Sequence, residues 1–477
     1  MSDQEHEHEQ TCDIGLVGLG VMGRNFARNL ADKGFTVAGY DRGAVELEEL
    51  EKRGTRGRAI RIASDMASLC ALVRRPRAVM MLVPAGDPVD AVIQALEPQL
   101  DKGDLIIDSG NSHFSDTDRR SQALAQKGIV FMGMGMSGGA SGARNGPSLM
   151  PGGPEPVYRR VAAILEAAAA QAGGRPCVAY LGSGSAGHYV KMVHNGIEYG
   201  LMQLIAETYD LMKRGLGLHP PELHAIYRRW HQGALNSYLM EITAEIFLQT
   251  DERTGRPLID MILDRAKQKG TGEWTVADAL TLQVPVPNID AAVMMRHLSG
   301  STEQRTALQR FEQAPAAFAD DRPQFIDRLE NALYAATIAT YAQGLDLLKQ
   351  ASRSHGYGLN LATVARVWSG GCIIRARLLE EIQAAFSQDP DLVHLLAAPS
   401  LNAVVRKLLT DLRLVVRTAA DLGIPVPGLM VALAYLDACH GGWLPANLIM
   451  AQRDYFGSHT YERVDAQGTF HTQWERK

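Results

Sequence analysis

The densest chemistry in the sequence lies in one short stretch, Gly187-His188-Tyr189-Val190-Lys191-Met192-Val193-His194-Asn195-Gly196-Ile197-Glu198-Tyr199. Read as a helix, it sets Lys191, His194, Asn195, Glu198 and Tyr199 at i, i+3, i+4, i+7 and i+8, on one common face. Val190, Val193, Ile197 and Leu204 form a separate apolar stripe suited to burial. A solvated helix face usually carries flexible Glu and Lys pairs, and Lys191 with Glu198 alone would fit that plainer pattern. The imidazole, amide and phenol beside them favour a catalytic wall. A lysine kept partly neutral by burial or by a neighbouring cation can take a hydroxyl proton as hydride leaves. A carboxylic acid nearby can then protonate the carbon left by departing carbon dioxide. Base and acid on one face thus suit oxidation followed by decarboxylation, and no cluster in the sequence has metal-ligand spacing.

Three distant segments bring bases together with small polar residues. Gln268-Lys269-Gly270-Thr271-Gly272 offers an ammonium, a hydroxyl and open backbone, Arg296 lies in Met294-Met295-Arg296-His297-Leu298-Ser299, and Arg453 and His459 lie near the C-terminus. Singly, each is more often a solvated base; together they fit a substrate with both a phosphate and a carboxylate. The formal charge of −5, from 48 Lys and Arg against 53 Asp and Glu, gives no global pull toward nucleic acid or an acidic membrane, so any anion must be held locally.

These residues need elements to position them. Ile14-Gly15-Leu16-Val17 reads as a short strand, followed at once by Gly18-Leu19-Gly20-Val21-Met22-Gly23 and a helix that Gly34 closes. A second strand ends in Asp41, 18 positions after Gly23. In that context the glycine motif points to a dinucleotide: Gly18 for the turn, Gly20 for close approach of a pyrophosphate, Gly23 for helix packing, and a helix N-terminus for the phosphates. Further strands are expected at 78–83, 105–108 and 129–132 with helices between, giving a doubly wound parallel sheet that ends near residue 186. Beyond it the texture is helical. Asp210-Leu211-Met212-Lys213 leading to Trp230-His231-Gln232-Gly233 is echoed by Asp346-Leu347-Leu348-Lys349 leading to Trp368-Ser369-Gly370-Gly371, which suggests a duplicated all-helical domain. The expected organisation is a disordered tail at 1–12, a Rossmann-like α/β domain at 13–186, an all-α domain at 187–440 and an irregular C-terminal tail at 441–477.

At 46% apolar and 21% charged residues the composition is that of an ordinary globular protein. The cysteines Cys12, Cys70, Cys177, Cys372 and Cys439 are scattered and suit small buried residues in a reducing compartment. No secretory signal and no apolar run of about 20 residues is visible, so a cytoplasmic location is expected.

Seven motifs in order carry a resemblance to the 6-phosphogluconate dehydrogenases, of the β-hydroxyacid dehydrogenase superfamily, over nearly the whole chain. They are GLGVMG from Gly18, DSGNS from Asp108, MSGGASGARNGPSLMPGG from Met136, KMVHNGIEYG from Lys191, QKGTGEW from Gln268, WSGGCIIR from Trp368 and QRDYFGSHTY from Gln452. The resemblance implies that 6-phosphogluconate is oxidised and decarboxylated to ribulose 5-phosphate by a homodimer whose tail enters the partner subunit. It implies Lys191 as the base at the C3 hydroxyl and Glu198 as the acid at C1 of the enediol. Asn111, Ser137, Gly138, Gly139, His194, Asn195 and Tyr199 would hold the sugar acid. Lys269, Thr271 and Arg296 would hold the phosphate end, with Arg453 and His459 arriving from the other subunit. The cofactor set is Gly18, Leu19, Gly20, Val21, Met22, Gly23, Asp41, Arg42, Val83, Pro84, Ala85 and Asn111.

Three positions depart from the family pattern. Ala140 and Ser141 follow Gly139 where acidic residues are usual, Val83-Pro84-Ala85 replaces Val-Lys-Ala, and Asp41-Arg42-Gly43 replaces Asn-Arg-Ser or Asn-Arg-Thr. All three fall around the expected cofactor site. The family implies NADP, whereas Asp41 and Gly43 argue for NAD or for use of both. Two rivals are a different β-hydroxyacid dehydrogenase, such as one acting on 3-hydroxyisobutyrate, and a catalytically silent dinucleotide sensor. The first would not need the phosphate segments and the second would not need Lys191 with Glu198.

Overall fold

The computed structural model describes residues 11–43, 59–310 and 316–474. Residues 1–10 of the expected disordered tail lie outside them. Cys12, assigned to that tail, is instead fully buried: its N–H donates to the Leu72 carbonyl at 2.6 Å and it bridges Val73. An apolar residue directly before a strand is drawn into the sheet's flank.

The N-terminal half holds a seven-stranded sheet of β1 (Ile14–Val17), β2 (Val37–Tyr40), β3 (Ile60–Ile62), β4 (Ala78–Met81), β5 (Leu105–Asp108), β6 (Val130–Ser137) and β7 (Ser148–Gly152). Their spatial order is β3-β2-β1-β4-β5-β6-β7, all parallel except β7, which runs antiparallel to β6. Helices α1 (Val21–Asp32), α2 (Met66–Leu72), α3 (Asp87–Leu96), α4 (Phe114–Ala125), α5 (Gly139–Asn145) and α6 (Glu155–Ala168) cover it. Both faces are buried, which is why the strands read as unbroken apolar runs. On one side Leu16, Met80 and Ile107 pack with Phe26, Leu30 and Leu165. On the other, Val17, Val79 and Ile106 pack with Leu69, Val92 and Leu124. The sequence missed β3 and β7 and ended the fifth expected strand at 132, whereas β6 runs to Ser137.

The helical half is built on two long helices, α7 (Ala186–Asp210) and later α13 (Arg322–His355). Between them come α8 (Pro220–His231), α9 (Tyr238–Ile246), α10 (Thr271–Thr281), α11 (Pro287–Gly300) and α12 (Thr302–Gln309). After α13 come α14 (Leu361–Trp368), α15 (Leu378–Gln388), α16 (Pro399–Asp421) and α17 (Pro427–His440). The repeat faintly visible in sequence extends well beyond Trp230 and Trp368, both fully buried near the ends of α8 and α14. Each half also reaches its last long helix through a matching turn. Gln283 (φ 57°) leads through Val284-Pro285-Val286 into α11, and Gly423 (φ 67°) leads through Ile424-Pro425-Val426 into α17. In both, the residue after the left-handed one donates to a carbonyl five positions back, Val284 to Ala279 and Ile424 to Ala419. A Cβ on Gly344 of α13 would lie 2.5 Å from Ile197 of α7, so the two long helices cross at a point where only glycine fits.

The final segment is more regular than expected. It forms α18 (Ala446–Gly457) and a hairpin of Tyr461–Glu462 with Thr469–Phe470. Its side chains are spread over both polar and apolar types, so no clean helical period marks it in sequence. Of the cysteines, all free, four are buried and Cys439 is exposed, contrary to the uniform burial expected.

Candidate active site

The polar wall exists because glycines let α7 lie against the sheet. A Cβ on Gly135 of β6 would collide with the Lys191 side chain, one on Gly133 would lie 2.7 Å from His188 Nδ1, and one on Gly187 would strike the Gly133 carbonyl. His188 fastens this contact. Its Nε2 meets the Asp108 carbonyl at 3.1 Å, and its Nδ1 meets the Thr117 hydroxyl at 2.6 Å. A carbonyl only accepts, so Nε2 carries the proton and Nδ1 accepts from Thr117. Burial lowers the pKa of this imidazole, in keeping with the neutral form. Neither the glycine pair nor His188 was singled out in the sequence; the Gly-Met-Gly alternation in Phe131-Met132-Gly133-Met134-Gly135 was the available signal.

On that base the expected side chains converge. Lys191 is almost fully buried, and its Nζ donates to Asn195 Oδ1 at 2.6 Å and lies 3.4 Å from His194 Nδ1. His194 Nε2 is 3.3 Å from the Ser137 hydroxyl, and its Nδ1 is 3.8 Å from a Glu198 carboxylate oxygen. The amide of Asn195 donates to the Thr271 hydroxyl at 3.2 Å. Desolvation lowers the Lys191 pKa from the ordinary lysine value, opposed by Glu198. Desolvation raises that of Glu198, opposed by Lys191 and Arg296. His194 is pushed well below the usual range by burial and then by Lys191, so it stands as a neutral imidazole. Lys191 and Glu198 are thus each biased toward the uncharged form that the expected base and acid roles require.

Ser137 ends β6, and Gly138 (φ 121°) and Gly139 (φ 61°) turn the chain into α5. The Ser137 hydroxyl also accepts from the Ile373 N–H at 3.4 Å, which brings the segment from Trp368 to Arg375 over the wall. At the other end Arg296 of α11 lies 3.5 Å over the Tyr199 ring. Lys269 is exposed, one residue before Gly270, whose left-handed backbone (φ 92°) opens α10. Gln268, Glu273 and His297 hydrogen-bond one another and tie this loop to α11, a trio the sequence reading did not select. Asn111 is exposed on the turn after β5, which Asp108 braces by accepting from Ser112 Oγ at 2.6 Å and the Gly110 N–H at 3.0 Å. Arg453 and His459 are exposed on the C-terminal segment, and among the described residues no hydrogen bond or ion pair joins them to α7.

A cleft of about 280 Å³ lies at the C-terminal end of the strands, lined by Gly18, Gly20, Tyr40, Asp41, Arg42, Val83, Pro84 and Pro88 among others. Its lining fits a dinucleotide. A Cβ on Gly18 would lie 2.6 Å from the Leu82 carbonyl and one on Gly23 would strike Gly18, whereas one on Gly20 would meet nothing. The backbone is therefore bare where a pyrophosphate would lie. The N-terminus of α1 has no side-chain cap and no acid in its first turn, leaving its N–H groups for phosphate. Leu19 is buried, Val21 exposed and Met22 half-buried; Ala85 is exposed at the rim. Asp41 accepts from the Leu19 N–H at 2.5 Å and from the Gly43 N–H at 2.9 Å, which pins its carboxylate at the cleft's edge.

A cleft fitted to a dinucleotide, in one chain with a buried lysine–histidine–carboxylate wall on α7, defines a nicotinamide-dependent dehydrogenase of a hydroxy acid. The family model for the NAD binding domain of 6-phosphogluconate dehydrogenase matches residues 13–182, and that for the C-terminal domain of 6-phosphogluconate dehydrogenase matches 187–474. The chain belongs to the 6-phosphogluconate dehydrogenase family. It is 49% identical to the decarboxylating 6-phosphogluconate dehydrogenase of Synechococcus elongatus, covering 97% of this chain and 99% of that one. It is 44% identical to the NADP(+)-dependent, decarboxylating enzyme of Bacillus subtilis, covering 97% and 98%. The 6-phosphogluconate dehydrogenase structure from Plasmodium falciparum superposes with a TM-score of 0.94 at 43% identity, covering 97% of this chain and all of that one.

Proposed function

We propose that this chain oxidises and decarboxylates 6-phosphogluconate to ribulose 5-phosphate and carbon dioxide with reduction of a nicotinamide dinucleotide. The observation that carries the proposal is the buried face of α7, where Lys191 and Glu198 flank His194 and Asn195. The Gly18–Gly23 turn would hold the pyrophosphate of the dinucleotide, which would supply the hydride acceptor for oxidation at C3. Lys191 takes the C3 hydroxyl proton, and Asn195, accepting from its Nζ, aims the amine. The resulting 3-keto acid loses its carboxylate as carbon dioxide, because the electron pair left behind is delocalised into the neighbouring ketone. Lys191, now protonated, stabilises the enediolate oxygen, and Glu198 delivers a proton to C1 of the five-carbon enediol. Asn111, Ser137, Gly138, Gly139, His194 and Tyr199 orient the sugar acid, and Lys269, Thr271 and Arg296 hold its phosphate. Arg453 and His459 complete that end from a second subunit.

On this reading residues 13–186 bind the dinucleotide, 187–440 carry the wall and the dimer contacts, and 441–477 reach the partner. The exposed Trp443, Leu444, Leu448, Ile449 and Phe456 support a segment that is covered in an assembly. Among the described residues no helix is long and apolar enough to cross a membrane. Five free cysteines suit the cytoplasm. Asp41 can accept from the 2′-hydroxyl of NAD and repels the 2′-phosphate of NADP, while Arg42 draws that phosphate in. The preference proposed is NAD used well, with NADP accepted less well or about equally.

The test is absorbance at 340 nm with 6-phosphogluconate or 3-hydroxyisobutyrate and each dinucleotide, with carbon dioxide release measured alongside. Reduction coupled one-to-one to carbon dioxide with 6-phosphogluconate alone is expected. Reduction without carbon dioxide, or with 3-hydroxyisobutyrate instead, would overturn the assignment.

A further inference from the structure

The C-terminal segment contains one residue that does not fit its surroundings. From Gly441 to Leu448 every side chain is exposed, yet Asp454, on the last turn of α18, is fully buried. Its carboxylate gathers donors from well beyond the helix. Oδ1 accepts from the Thr460 N–H and from His471 Nδ1, both at 2.9 Å. Oδ2 accepts from the Thr472 N–H at 3.0 Å and from Trp474 Nε1 at 2.9 Å. These bonds use the full acceptor capacity of an ionised carboxylate. Burial alone would raise its pKa, but the bonds from His471, Thr472, Trp474 and Thr460 outweigh that and hold it well below the usual carboxylate range.

The same residue governs the geometry of His459. Ser458 (φ 49°) and Thr460 (φ 62°) both lie in the left-handed region, where L-residues are strained, and they flank His459 directly. Such backbone persists only where its surroundings over-determine it. Here the Ser458 N–H donates to the Asp454 main-chain carbonyl at 2.9 Å and the Thr460 N–H to the Asp454 carboxylate. His459 is thus clamped between two bonds to one residue. Its ring rests on bare backbone: a Cβ on Gly457 would lie 2.5 Å from His459 Cδ2 and 2.6 Å from Nε2. Arg453 sits one residue before Asp454, on the turn that the clamp anchors.

We propose that Asp454 is a positioning residue that preforms the C-terminal segment and presents His459 and Arg453 to the phosphate end of the substrate. The proposal rests on the reading that Arg453 and His459 bind substrate, and its test separates the two. Asp454→Asn preserves shape but replaces one accepting oxygen by an amide donor, which in either orientation opposes at least one N–H, of Thr460 or of Thr472 and Trp474; Asp454→Ala removes the carboxylate clamp altogether. Each is compared with Arg453→Ala in the full-length protein for KM, kcat and assembly state by sedimentation. The expected result is a KM for 6-phosphogluconate raised about tenfold or more in all three, the scale of one lost charge-assisted contact. The kcat and the dinucleotide KM should stay within about twofold. A raised KM in Arg453→Ala with normal KM in both Asp454 variants overturns the positioning role and leaves the substrate-binding reading intact. Normal KM in Arg453→Ala overturns that reading, and the proposal with it. A raised KM that returns to normal at protein concentrations restoring the native assembly also overturns it, since Asp454 would then act only on assembly.

Discussion

The wall on α7 and the cofactor rim after β2 are fixed in opposite ways. The centre of the wall is held from several directions: Lys191 by Asn195, by His194 and by the bare backbone of Gly135, and His194 by Ser137 as well. Burial then tunes the wall's acids and bases. At the rim, among the described residues, Asp41 accepts from two backbone N–H groups, those of Leu19 and Gly43, and Arg42 is exposed beside it. A change in the wall disturbs several buried side chains, whereas a change at the rim touches a carboxylate held by backbone N–H groups at the cleft's edge. On the proposed roles, the chemistry is built into the packing, whereas cofactor choice rests on side chains at the edge of a cleft.

The sharpest way to break this contrast is Lys191→Met, which keeps the length of the chain and removes the base. Turnover should fall by about 10²–10⁴-fold, the usual contribution of a general base, while dinucleotide affinity measured by fluorescence titration is retained. A variant with near-normal turnover would strip Lys191 of its role. Gly135→Ala comes next, because the added methyl group meets the Lys191 stem and the Gly187 carbonyl and so tests the packing of the wall. Its new methyl group must displace the Lys191 stem, so kcat should drop by roughly tenfold to a hundredfold, and thermal unfolding should report about 1–3 kcal/mol of overpacking. Unchanged kcat would mean that the wall tolerates displacement after all. The smallest effect belongs to the rim. Asp41→Asn with Gly43→Ser should improve the kcat/KM ratio of NADP over NAD by about tenfold, equivalent to 1.4 kcal/mol, with little change in melting temperature. A wild-type preference for NADP of about a hundredfold, or a double variant that gains nothing with it, would refute the electrostatic account.

What could be read from the sequence divides along the range of the contacts involved. The helix face from Lys191 to Tyr199 and the turn from Gly18 to Gly23 were legible because their spacing is local, set by one element's period or one strand–turn–helix junction. His188 was not, since its partners Asp108 and Thr117 are distant in sequence and only the tertiary packing brings them near. β7 escaped because Ser148-Leu149-Met150-Pro151-Gly152 carries proline and glycine, tolerated in a strand at the sheet's edge. The C-terminal segment looked irregular because Asp454 organises it through bonds to residues as far off as Trp474, and no hydrophobic period reports such a hub.

The glycine-lined seat of α7 also bears on motion. A helix pressed this closely against β6 and β7, and crossing α13 at Gly344, belongs to both halves of the molecule at once. Its close-packed contacts tie the sheet directly to the side chains of Lys191 and His194. The spacing between the dinucleotide cleft and Lys191 is consequently built in during folding rather than reset on each turnover.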